Sequence, residues 1–88
     1  MSVGVFLGSL PAGIGAEDVE EWLRAENFRF EFVRLLVDRF GLSKSSVIVR
    51  AATREDAEAI IARYDGAPFG GRILRASIAR RKRQQEGI

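Results

Sequence analysis

The sequence predicts an α+β fold: a ferredoxin-like split βαβ (βαββαβ) with a four-stranded antiparallel sheet and two helices on one face. Three observations predict it. Two segments carry apolar residues at helical spacing, four carry short β-branched or alternating runs, and these follow one another as strand, helix, strand, strand, helix, strand. Right-handed crossovers then put both helices on the same side of the sheet and leave its other face open. The two halves echo each other as βαβ units, without a residue-level repeat.

Taken in order, "VGVFLGSL" reads as the first strand, closed by "PAGIG", whose Pro and two Gly break regular structure. In "AEDVEEWLRAEN", Val19, Trp22 and Leu23 fall at i, i+3 and i+4. Glu17 and Asp18 occupy the first turn, where the helix dipole favours negative charge, and the opposite face is acidic. "FEFVRLLVD" predicts a second strand with Val33, Leu35 and Val37 on its buried side, and "RFGLSK" turns the chain into a third, "SSVIVRA", completing a hairpin. Thr53 followed by Asp56 resembles a capping box, and Ala57, Ile60, Ile61 and Tyr64 recur at helical spacing until Asp65-Gly66 stops the second helix. "GGRILRASIA" alternates Leu74, Ala76 and Ile78 against Ile73, Arg75 and Ser77, the pattern of one half-buried strand. The expected organisation is a single domain over residues 1–80 and a basic tail over 81–88.

A chain of 88 residues with 47% hydrophobic content and two prolines has material for one small core. Cysteine and histidine are both absent, which excludes disulfides, thiol nucleophiles, imidazole bases and the usual zinc sites. Carboxylates gather in helix first turns rather than in pairs around a cleft, and a Ser-Lys reading of "SKSS" would need a buried Lys that an exposed turn does not offer. No enzyme is expected. Gly13 and Gly15 with Asp18 lack the third glycine of a dinucleotide-binding turn, and no GxxxxGK[ST] occurs, so neither a cofactor nor a small-molecule substrate is expected. The longest apolar runs are too short to cross a bilayer, and the N-terminus lacks a secretory pattern, so an intracellular chain with no membrane partner is the expectation. Charge is segregated: residues 1–71 hold 8 Lys/Arg against 11 Asp/Glu, whereas residues 72–88 hold 6 against 1. Such a basic C-terminal arm can meet phosphate or can be a solvated tail.

Three stretches carry a family resemblance. "VFLGSL" (Val5 to Leu10) resembles the hexapeptide motif of RNA recognition motif (RRM) domains, aliphatic, aromatic, aliphatic, any, Asn, Leu, with Ser9 in place of Asn. "KSSVIVRA" (Lys44 to Ala51) falls where the family's octapeptide belongs, and "GRILRASIA" is similar to its closing strand. The octapeptide is degenerate: the family's two stacking aromatics match Ser46 and Ile48, and its Gly matches Ser45. The resemblance implies single-stranded RNA as partner, bound on the open sheet face by a module of an RNA-processing protein.

Strand alternation assigns the faces. With Val47, Val49 and Ala51 toward the helices, Lys44, Ser46, Ile48 and Arg50 point out beside Phe6, Arg75 and Ser77. Phe6 is then the expected base platform. Arg50 and Arg75, with Arg80, Arg81, Lys82 and Arg83 of the arm, are the expected phosphate and stacking contacts. The alternative is a protein-interaction domain similar to the U2AF-homology variants of the family. These combine a degenerate octapeptide and an acidic first helix with an Arg-any-Phe turn, here Ala67-Pro68-Phe69. On that reading Glu17, Asp18, Glu20, Glu21, Trp22 and Phe69 form the site. Opposed charge on helix and tail also permits self-association.

Overall fold

The computed structural model describes residues 2–37, 40 and 43–79, without the side chains of residues 43 and 44. Its elements are β1 (Val3–Gly8), α1 (Ala16–Ala25), β2 (Phe30–Val37), β3 (Ser43–Ala51), α2 (Arg54–Tyr64), β4 (Pro68–Phe69), β5 (Arg72–Ile73) and β6 (Arg75–Ile78). The main sheet has the order β2-β3-β1-β6 with every neighbour antiparallel. This is the βαββαβ fold the periodicities predict, with a small β4-β5 hairpin inserted before the last strand.

One core joins the sheet to both helices. Val5 and Leu7 of β1 and Val47, Val49 and Ala51 of β3 are fully buried together with Val19 and Leu23 of α1 and Ala57 and Ile60 of α2. Burying one such side chain contributes about 1.5–3 kcal/mol, so these alternating positions fix which way each strand faces. Both helices are capped by the residues their first turns supply. The Gly15 amide donates to Asp18 Oδ2 at 2.9 Å, and the Asp56 amide donates to Thr53 Oγ1 at 3.1 Å. Helix α1 ends in a Schellman turn: Asn27 sits at φ 63°, and the Phe28 and Asn27 amides donate to the Leu23 and Arg24 carbonyls.

Two sequence expectations are corrected. Residues 71–79 do not form one strand. Gly70 and Gly71 at φ 58° and 81° make a tight turn that folds Arg72–Ile73 back onto Pro68–Phe69, so Ile73 lies on this arm and is 58% exposed. The last strand of the sheet begins only at Arg75. Val37, expected on the buried side of β2, is 49% exposed. Val37 is the last residue of β2 and pairs with Ser43, beyond an irregularity in which β3 advances four residues to two in β2, with Ser45 at φ 57°.

Candidate nucleic-acid interface

The face of the sheet away from the helices is built on β1, where Gly4, Phe6 and Gly8 alternate with buried Val5 and Leu7. Phe6 pairs with Ile48 on one side and Ser77 on the other, placing it at the centre of the sheet. The two glycines keep the surface low. A Cβ on Gly8 would sit 2.6 Å from Phe6 Cζ and 3.3 Å from Ser46 Oγ, so the Phe6 ring lies flat over Gly8 because no side chain is there. At the other end, a Cβ on Gly4 would be 4.0 Å from an Arg50 guanidinium nitrogen, so Arg50 reaches across the strand in the same way.

The outward residues of β3 and β6 complete the face. Ile48 and Arg50 are half-buried there, and Arg75 and Ser77 are exposed along β6. Ser46 departs from expectation: it shares the outward face yet is only 7% exposed, with its Oγ and the end of the Phe6 ring both near Gly8. Little of Ser46 is therefore open to a ligand. The side chain of Lys44 and residues Arg80, Arg81, Lys82 and Arg83 lie outside the described residues.

The sequence reading missed Phe32. A register slip places Phe30 opposite Ala51 but Phe32 opposite Arg50, so one phenylalanine packs against the core and the next faces out. Its ring centroid lies 5.4 Å from Arg34 Cζ and 5.9 Å from Arg50 Cζ. A signal existed: Phe32 and Arg34 flank Val33 and alternate with Val33 and Leu35, so the alternation that buries the aliphatics exposes this pair. Gly4 and Gly8, on either side of Phe6, were likewise legible as the clearance a flat ring needs.

Charge divides between the two sides of the molecule. On the helix side Arg24 meets Glu20 at 3.3 Å, Arg29 meets Asp56 at 3.6 Å, Arg54 meets Glu58 at 3.2 Å and Arg63 meets Glu26 at 2.8 Å. Among the described residues, no carboxylate lies within ion-pair distance of Arg34, Arg50 or Arg75.

The residues of the alternative site gather on the helix side. Trp22 and Phe69 are brought together, ring centroids 4.7 Å apart, and Trp22 also stacks on Tyr64 at 6.2 Å. They line a cleft of about 260 Å³ closed by Ala67, Pro68 and Leu74, with the Glu26–Arg63 pair among its walls. Of the expected acidic set, Asp18 is spent capping α1 and Glu20 pairs with Arg24, while Glu17 and Glu21 are exposed. The Tyr64 hydroxyl is buried with no hydrogen-bond partner among the described residues. Burial, and then the nearby Glu26 carboxylate, push its pKa up.

Solved structures superpose on nearly the whole chain. RNA binding protein PG1 matches with a TM-score of 0.77 at 25% identity, over 89% of this chain and 94% of that one. The second RRM domain of the yeast poly(U)-binding protein Pub1 matches at 0.75 and 21% identity, over 89% and 94%. The Rna15 RRM with bound RNA (GU) matches at 0.71 and 21% identity, over 86% and 81%. No protein-family model and no curated protein matches the sequence. The chain thus has the RRM fold that its hexapeptide resembles, and no helix among the described residues is long and apolar enough to cross a membrane.

Proposed function

We infer that the chain is an RNA-binding module that holds single-stranded RNA on the open face of its sheet, as part of an RNA-processing protein. The observation that carries this reading is the charge division. The arginines of the sheet face have no carboxylate partners among the described residues, and two of them, Arg34 and Arg50, flank the Phe32 ring, whereas Arg24, Arg29, Arg54 and Arg63 on the helix side are paired. Phe6 stacks a base, Arg50 and Arg75 hold phosphate or continue the stack, and Arg80, Arg81, Lys82 and Arg83, which follow β6 in sequence, supply further phosphate contacts. The neighbour solved with bound RNA (GU) supports the ligand class.

The test is affinity for a short homopolymeric RNA at two salt concentrations, for the full chain and for a chain lacking residues 80–88. Each phosphate contact to a single strand adds about −0.7 to the slope of log K against log salt, so losing four contacts lowers the slope by up to ~3 units for all sequences alike. Equal values for both chains at both salts would remove the arm from the mechanism. An arm that instead covers Phe6 would give higher affinity on deletion.

A second reading is favoured by one observation, the 260 Å³ cleft in which Trp22 meets Phe69. It makes the helix side a peptide site, lined by Glu26 rather than by Glu17, Glu20 and Glu21 of α1. Substituting Phe69 would then abolish a protein contact and leave RNA affinity in place.

A further inference from the structure

The Phe6 platform leaves one feature of the open face without a role. Phe32 on β2 is 37% exposed and has two guanidinium groups within 6 Å of its ring, at 5.4 and 5.9 Å. Neither Arg34 nor Arg50 has a carboxylate partner among the described residues. An exposed hydrophobic ring beside uncompensated positive charge is poorly suited to a surface with no ligand, and the strand did not have to produce it. Without the slip between Phe30 and Phe32, the ring at 32 would share the buried side with Phe30. A nucleobase with its phosphate answers both halves of the feature: the base stacks on the ring or a guanidinium plane, and the guanidinium forks hold phosphate oxygens.

We propose that Phe32, with Arg34 and Arg50, forms a second base-stacking position, so that bound RNA crosses from β1 over β3 to β2 with one base on Phe6 and another on Phe32. The proposal rests on the RNA-binding reading above and adds to it the residues that replace the two aromatics missing from β3. The register sets the spacing. Phe6 lies opposite Ile48 and Phe32 opposite Arg50, so the two are two strand spacings apart across the sheet and two residues apart along it. At ~4.8 Å between strands and ~3.4 Å per residue, their Cα atoms are ~12 Å apart. A helically stacked strand advances only about 3.4 Å per nucleotide. The two bases are thus held unstacked from each other, which selects an extended single strand over a duplex. Arg50 lies between them, its guanidinium over Gly4 on one side and near Phe32 on the other, placed to hold the intervening backbone.

The experiment compares the wild type with Phe6→Ala, Phe32→Ala, Phe32→Leu and Phe32→Tyr, titrated with a labelled oligouridine and followed by anisotropy, with thermal melts of each. Phe32→Ala and Phe32→Leu are each expected to weaken binding about 5- to 100-fold, and Phe32→Tyr to retain it, because a ring remains. If Phe32→Ala loses its fold, the Leu and Tyr variants decide. Wild-type affinity in Phe32→Leu, while Phe6→Ala is weakened, would overturn the second position and leave the proposed function standing. A wild-type chain with no affinity for the RNA would overturn both.

Discussion

The two faces of the sheet use the same residue types to opposite ends. Toward the helices, aromatic rings pack on one another, Trp22 on Tyr64 and Phe69, and Tyr64 on Phe28. The arginines around them are tied to carboxylates; Arg63 Nε donates to both oxygens of Glu26 at 2.8 and 2.9 Å. On the open face, Phe6 and Phe32 are separated across the strands, and no carboxylate among the described residues pairs with Arg34, Arg50 or Arg75. Pairing a charge at a surface stabilises a fold by only about 0–1 kcal/mol, so leaving one unpaired costs the fold little and leaves it free for an anion. What separates a structural aromatic–arginine cluster from a binding one is therefore the presence or absence of carboxylates, and the strand alternation that placed them.

That contrast can be broken most forcefully at Trp22. Phe69 and Tyr64 both lose a ring neighbour in Trp22→Ala, and a half-buried tryptophan lost from this cluster should lower stability by roughly 2–4 kcal/mol, somewhat below the range for fully buried aromatics. RNA affinity of the folded fraction should be unchanged, as read by denaturant melts alongside titrations below the melting temperature. Phe6→Ala should behave inversely, with affinity falling by ~1–3 kcal/mol and the melt nearly unaltered. A Phe6→Ala chain as unstable as Trp22→Ala would mean that both clusters are structural.

Smaller effects are expected at two serines. Ser9 and Ser45 sit at φ 62° and 57°, the left-handed region that costs most L-residues roughly 1–2 kcal/mol. They stand where the resembled motifs carry Asn and Gly, the two residues best suited to that conformation. Ser9→Asn and Ser45→Gly should each raise stability by about 0.5–1 kcal/mol in chemical denaturation, and lowered stability in both would remove backbone strain as the explanation.

The smallest effect is absent at neutral pH. Tyr64 is the one tyrosine of the chain, so the tyrosinate absorbance reports it alone. Its folded pKa is raised above the ordinary 10.0 by burial, then by Glu26. Below that pH folded and unfolded chains both keep the proton, and nothing is at stake. Above it the unfolded chain sheds a proton that the folded chain retains, so stability falls as pH rises. A phenol midpoint at or below the ordinary value would contradict the buried placement.

The fold was legible because its signals are local and repeated: helical spacing at Val19 and Leu23, alternation at Val47 and Val49, caps at Asp18 and Thr53. Phe6, Arg50, Arg75 and Ser77 could be placed on one face by parity alone. Parity fails where a residue is inserted. The slip between Phe30 and Phe32 inserts one residue in β2 and reverses its alternation, whereas the bulge at Ser45 puts two extra residues in β3, and neither leaves a Gly or Pro in the sequence to mark it. Hence Phe30 and Phe32, two residues apart, take opposite faces, and Phe32 was passed over although its parity with Arg34 placed it outside. The β4-β5 hairpin was concealed differently, since Gly70-Gly71 read as the start of a strand rather than the turn of its own short ribbon. The burial of Ser46 depends on packing that alternation alone does not decide.

The central claim, that RNA lies on the open sheet face, is tested most directly by an NMR titration of the isotopically labelled chain with short homopolymeric single-stranded RNA. The account predicts progressive amide shifts at Phe6, Phe32, Ile48, Arg50 and Ser77, with Trp22, Glu26 and Phe69 unmoved. Shifts confined to Trp22, Glu26, Phe69 and their neighbours, or none at all, would contradict it.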